Sequence, residues 1–224
     1  FMTTERVKIA PTHHEEQVSF KETVKALVSN RALLGIIAAA ILLLLASLMT
    51  QSVNQYVFVD YFKNKEALAV MSVAGILPML LMAPFTVPIT RKYGKKEVGA
   101  VGCILGGIAS LLLFVLQVKS APVYIAISVI GYFGFGFFNL IIWAFITDII
   151  DDQEVRTGKR EDGTIYAVYS FARKIGQALS GGLGAYALAL VGYDSSVQVQ
   201  TAEVAGGIYN VATLVPGILY IGVG

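Results

Sequence analysis

Hydrophobic and polar positions in this chain segregate into long blocks. A polar stretch ends at Asn30, and six long apolar runs follow, separated by short polar connections. A helix rises about 1.5 Å per residue and a bilayer's hydrocarbon core is about 30 Å thick, so a run of about 20 apolar residues is long enough to cross it. The pattern predicts helices over Ala32 to Phe62, Ala67 to Ile89, Val98 to Val118, Pro122 to Thr147, Thr164 to Gly192 and Val204 to the end. The second run contains Pro78, Pro84 and Pro88. The expected fold class is an all-α membrane protein with six transmembrane helices.

Polar residues interrupt three of these runs. The first is apolar to Met49 and then turns polar, and Ser47, Gln51, Asn54 and Gln55 share one helical face. An unpaired amide in lipid is costly. Either this stripe lines a polar cavity, or the helix, which at about 31 residues would reach about 46 Å, projects from the bilayer. The fourth run places Asn139 and Trp143 one turn apart, after Gly131, Gly134 and Gly136. Trp143 reads as an interfacial anchor or as an aromatic platform for a sugar. In the fifth run Lys174 stands about ten residues from the start, close to mid-membrane, where a cation costs about 2.5–3.5 kcal/mol. Ser170, Lys174 and Gln177 share a face, with Tyr169 and Arg173 on its flank. Donors and acceptors converging there suit a polyol, whose hydroxyls must exchange water for protein hydrogen bonds. The alternative is a structural ion pair, yet no other run carries an acid near its middle. Gly102 with Gly106, and Gly181 with Ala185, have the spacing that allows close helix contact.

Composition agrees with a polytopic membrane protein: 56% of the 224 residues are hydrophobic and 14% charged, and mean hydropathy is +0.69. A net charge of +2, with bases scattered over loops, gives no reason to expect a nucleic-acid partner. The lone Cys103 can form no internal disulfide, and His13 and His14 have no third ligand nearby, so no metal or resident cofactor is expected. Lys and Arg concentrate in the amino-terminal tail, around Arg91 to Lys96, and around Arg156 to Arg160; the alternate connections hold only Lys63, Lys65 and Lys119. Basic connections stay in the cytoplasm, which puts the tail there. In the tail, Ser19 and Glu22 have capping-box spacing, and Phe20, Val24, Leu27 and Val28 fall on one face, as in a short amphipathic helix or a loose linker. Phe1 ahead of Met2, and an apolar segment that stops at Gly224, suggest a fragment.

The connection after the fourth run interleaves Asp148, Asp151, Asp152, Glu154, Arg156, Lys159, Arg160, Glu161 and Asp162. It reads as a charge cluster that opens and closes with a transport cycle, as one half of a metal-diphosphate site of a prenyltransferase-like enzyme, or as a solvated loop. The second reading needs another acidic motif, which this sequence lacks.

The run from Trp143 to Gly184, WAFITDIIDDQEVRTGKREDGTIYAVYSFARKIGQALSGGLG, resembles the signature region of the glycoside–pentoside–hexuronide:cation symporters, the family of melibiose permease. Likeness extends through the NRALL start of the first run, RKYGKK at Arg91 to Lys96, and Gly192-Tyr193, and is greatest to xyloside and glucuronide carriers. The resemblance implies the carboxy-terminal half (residues 31–224) of a twelve-helix transporter of the major facilitator type, with residues 1–30 left from its central cytoplasmic loop. It implies that Lys174 faces the sugar and cation cavity, that Tyr169 and Ser170 line the sugar pocket, and that Asp148, Asp151, Glu154 and Arg160 help form an inner barrier. Asp152 and Arg173 replace residues uncharged in melibiose permease, which argues against its specificity. Trp143, Asn139, Gln51, Asn54, Gln55 and Gln177 rest on the residue argument alone. The expected function is symport of a glycoside, pentoside or hexuronide with Na+ or H+ across the inner membrane, without enzyme chemistry. The expected partners are the sugar, the lipid bilayer and an amino-terminal six-helix half that supplies most of the cation site. A lysolipid-type carrier on the same fold is the alternative; it would want an apolar lateral groove.

Overall fold

The computed structural model describes residues 29–158, 160 and 162–224. Among them are six α-helices: α1 Arg31–Tyr56, α2 Lys65–Tyr93, α3 Lys95–Leu116, α4 Ala121–Thr157, α5 Asp162–Leu190 and α6 Ala202–Val223. The tail features at Ser19 to Val28 lie outside the described residues. Five helices are long and apolar enough to cross a membrane. The other, α5, has the length, at 29 residues, but carries Arg173, Lys174 and Gln177 along with many small residues. α1 continues as a π-helical turn, Val57–Tyr61, which buries Val57 and Phe58.

α3 packs on α4 and α6, α1 packs on α5 and α6, and α2 packs on α4. The main contacts thus run in the order α5, α1, α6, α3, α4, α2, and α1, α2 and α4 also border a cavity closed in part by Tyr220 of α6. Small residues set the closest approaches. A Cβ added at Gly102 would run into the carbonyl oxygen of Gly134, and one added at Gly134 into that of Gly102. With Gly106 facing Gly131, this is the close α3–α4 contact expected from the spacing. The second small pair is corrected. Gly181 and Ala185 are exposed, and α5 instead meets α1 through Gly176, Ser180 and Gly184, with Gly176 against Ile41 and Leu44. That stripe is one residue away in sequence, about 100° around the helix.

One end of the bundle is aromatic. Phe58, Tyr61, Phe62, Tyr124 and Tyr209 form a connected ring cluster, with Tyr61 stacked on Tyr209 at 4.5 Å between centroids. The Tyr209 hydroxyl donates to the carbonyl of Leu113 at 2.8 Å and accepts from the Val118 N–H at 3.1 Å, which ties α6 to the end of α3. The other end is charged, and there the expected boundaries need a second correction. α4 runs ten residues past Thr147, so most of the acidic connection is helix, not loop. An Asp152–Arg156 ion pair at 2.8 Å, one turn apart, supports the extension, and Gly158 ends it in the left-handed conformation at φ 69°.

The α3–α4 contact gives a direct test. Gly102→Ala or Gly134→Ala should cost about 1–3 kcal/mol by overpacking, read as a lower unfolding midpoint in detergent. Gly206→Ala, where nothing lies within 4 Å, should leave the midpoint unchanged or slightly raised.

Candidate functional site: a cation-bearing face and a polar cavity

The buried face of α5 carries Ile165, Tyr169, Ala172, Gly176, Ser180, Gly184 and Leu188. Because small residues press α5 against α1, the polar stripe beside that face stays uncovered: Lys174 and Gln177 are exposed and Ser170 half-buried. Gly181 and Ala185 continue the same stripe. Gly176 contacts Ile41 and Leu44, about 15 Å along α1 from Arg31, so Lys174 lies near the middle of a membrane-length bundle. Among the described residues, Lys174 has no ion-pair partner.

Arg173, half-buried, leans toward α4. Its guanidinium carbon lies 5.7 Å from the Trp143 ring centre and 5.9 Å from that of Tyr169. Trp143 stacks on Tyr166 at 5.9 Å and 23°, and meets Tyr169 edge-on at 5.7 Å. The structure therefore brings Trp143, Tyr169 and Arg173 together and adds Tyr166, which the sequence did not single out. Its only signal there was an aromatic side chain one turn before Tyr169. Tyr169 itself is only 2% exposed, so it packs behind Trp143 rather than presenting its ring to solvent. Trp143 remains 45% exposed, although Tyr166 stacks on its ring and Arg173 lies over it. Asn139 is not drawn into this group: its amide donates to the Phe135 carbonyl of its own helix at 3.4 Å.

The polar stripe of α1 begins about 5 Å beyond Leu44 along that helix and ends about 15 Å beyond it. Ser47, Thr50, Gln51 and Asn54 line a cavity of about 360 Å³ with Ser72 and Tyr132, floored by Phe135 and Tyr220. Asn54 is buried and accepts from the Tyr124 hydroxyl at 2.8 Å, so its carbonyl oxygen is already engaged. Gln55 is exposed and is not among the residues lining this cavity. Thr50, Ser72 and Tyr132 were not anticipated, because the last two come from other helices.

At the charged end, Arg160 bonds Glu154 at 2.7 Å, Asp162 at 3.0 Å and Asp151 at 3.2 Å. Its guanidinium is pushed above its ordinary value, first by Glu154 and then by Asp162 and Asp151. Asp148 does not join this group. It pairs with Lys95 at 2.7 Å and so links α3 to α4. Arginine and lysine thus already engage the acids that a magnesium-diphosphate site would need, and among the described residues no acidic or His/Cys group has metal-binding geometry. Beneath these exposed ion pairs sits a buried contact of another kind. Asn30 caps α1 by accepting from Leu33 N–H at 3.0 Å and donates to Gln153 Oε1 on α4 at 2.9 Å. Elsewhere, an apolar groove of about 670 Å³ runs between α2, α3 and α4. Its lining is apolar apart from Tyr93 and Glu97.

A bundle with one open polar face, a mid-depth cation and an ion-paired end has the architecture of half a twelve-helix carrier of the major facilitator type. The chain matches the family described as MFS/sugar transport protein over residues 1–224, and it belongs to that family. It is 32% identical to the glucuronide carrier protein homolog of Escherichia coli (strain K12) over 89% of this chain and 44% of that protein. It is 30% identical to a candidate sulfoquinovose importer of the same organism, over 89% of this chain and 42% of that protein. A candidate 2,3-dihydroxypropane-1-sulfonate exporter of Salmonella typhimurium is 29% identical over 96% of this chain and 46% of that protein. The chain spans about half the length of these relatives.

The buried tie at the charged end can be tested without a substrate. Asn30→Ala removes a cap and a buried hydrogen bond and should cost about 1–3 kcal/mol in unfolding experiments. Asn30→Asp keeps the cap, and the unpartnered Gln153 Nε2 can turn to donate to it, so this variant should keep most of the stability.

Proposed function

We propose that this chain is the carboxy-terminal half of a cation-coupled symporter for a sugar of the glycoside, pentoside or hexuronide class. It works in the inner membrane as a multi-pass protein, with the ion-paired end and the tail in the cytoplasm. The observation that carries the reading is Lys174: a mid-depth cation on the uncovered face of α5, without an anion among the described residues of its own chain. Such a group is stable only beside water, a counter-ion or a polar solute. The names of the relatives, a glucuronide carrier homolog and a candidate sulfoquinovose importer, support a sugar as that solute. The distribution of bases between alternate connections supports the orientation.

In this account an amino-terminal six-helix half lies over the stripe from Ser170 to Ala185 and brings the carboxylates that bind Na+ or H+ and neutralise Lys174. The exposed part of Trp143 meets the apolar side of a pyranose, while Ser170, Lys174 and Gln177 exchange hydrogen bonds with its hydroxyls. Gln51 and the 360 Å³ cavity extend the hydrated path toward the aromatic end. Ion and sugar stabilise one occluded state, so each raises the other's affinity. The bundle then rocks as a unit against its partner. Asp151, Glu154 and Arg160 form an exposed cluster that screens at the inner mouth and can regroup when it opens.

Two outcomes test this. Lys174→Ala in the full-length carrier should abolish accumulation of sugar against its gradient while leaving membrane insertion intact; normal accumulation would remove the argument. Arg160→Glu turns three attractions into repulsions and should slow the maximal transport rate more than it weakens sugar binding. Weakened binding at an unchanged rate would contradict the barrier role.

A further inference from the structure

We propose that the solute carried at this face bears an oxyanion, a carboxylate or sulfonate, and that Arg173 receives it. This rests on the carrier reading above and goes further by naming the charge of the solute. Arg173 and Lys174 are consecutive, so they point about 100° apart around α5. Lys174 is directed onto the uncovered stripe, whereas Arg173 lies against Trp143 and Tyr169, at 5.7 and 5.9 Å from their ring centres. The two cations therefore present themselves to different places, and one anion on a partner half does not serve both.

The described acids are committed or distant. Asp148 pairs with Lys95, Asp152 with Arg156, and Asp151, Glu154 and Asp162 with Arg160. Glu97 folds over Gly94 at the turn between α2 and α3. Asp60, Glu66, Asp194 and Glu203 sit in or next to the connections at the opposite, aromatic end. No described carboxylate is within ion-pairing distance of Arg173. The rings hold the guanidinium without neutralising it, for they attract a cation by their faces yet carry no charge. They also fix its orientation, which spares ordering cost when a ligand arrives.

A neutral polyol gains little from such a residue. Guanidinium has five N–H donors and no acceptor, whereas each sugar hydroxyl both donates and accepts. An oxyanion is acceptor-only and matches the planar fork bidentately. Trp143 beside it supplies the stacking surface for the ring that carries the anion. A pyranose with an acidic group at C6 fills both demands at once.

The test uses the full-length carrier in cells and matched 4-nitrophenyl glycosides that differ only at C6, carboxylate against hydroxymethyl, in gluco, galacto and manno configurations. In the wild-type protein the acidic member of the transported pair should half-saturate uptake at a concentration lower by about tenfold or more, as when a charged hydrogen-bonded pair forms in one complex only. Arg173→Gln should bring that ratio close to one, and Arg173→Lys, which keeps charge but loses the fork, should give an intermediate ratio. A wild-type carrier that takes the neutral member equally well or better overturns the assignment, whatever the variants do. So does an acid preference that survives Arg173→Gln. Absence of saturable uptake for every glycoside, with the protein present in the membrane, overturns the carrier reading itself.

Discussion

Two cations at the middle of a membrane-length helix, with no anion supplied by the described part of their own bundle, constrain everything else about this chain. A lipid-facing position would strand them, because hydrocarbon offers no hydrogen bond and little screening. Their surroundings must therefore be wet, or be completed by another body. The packing of α5 meets that condition. Gly176, Ser180 and Gly184 let it sit close on α1 by one narrow face, which leaves the neighbouring stripe from Ser170 to Ala185 open. The same helix falls short of the apolarity of the other five. Its polarity follows from the open face.

The rest of the bundle is built to stay rigid behind that face. α3 and α4 meet backbone to backbone through Gly102 and Gly134, and the aromatic cluster with the Tyr209 hydroxyl joins α1, α3, α4 and α6 at one end. At the other end Asn30 and Gln153 tie α1 to α4 by a buried hydrogen bond, while the charges around them are exposed. Buried neutral bonds hold position, and exposed ion pairs are weak and exchangeable. That division suits a body that moves as one piece and remakes only its surface contacts.

The six helices were legible in the sequence because an apolar run of membrane length is rare except where a helix meets lipid. Mid-depth Lys174 was legible too, since a single charge stands out against such a run. What was not legible depended on more than one helix. Residues Asp148 to Thr157 look like a loop by polarity, yet they extend α4, because Gln153 on its inner face is bonded to Asn30 and Arg156 lies one turn from Asp152. The small-residue spacing on α5 fitted two stripes, and only the contact with Ile41 and Leu44 distinguishes them. Tyr166 joined the aromatic group through a stack on Trp143 from another helix, and Tyr169 turned inward. Asp148, which shares a sequence neighbourhood with Arg160, is taken instead by Lys95 of α3.

A stripe that faces water can be told from one that faces hydrocarbon by its reactivity. Lys174 can be replaced by cysteine in the full-length protein, with Cys103, which is buried, as an internal background. A charged, water-borne methanethiosulfonate reagent should modify Lys174→Cys readily, far faster than Cys103. Lack of modification under conditions where loop cysteines react, or reaction only with lipid-soluble maleimides, would show the position facing hydrocarbon and would contradict the account.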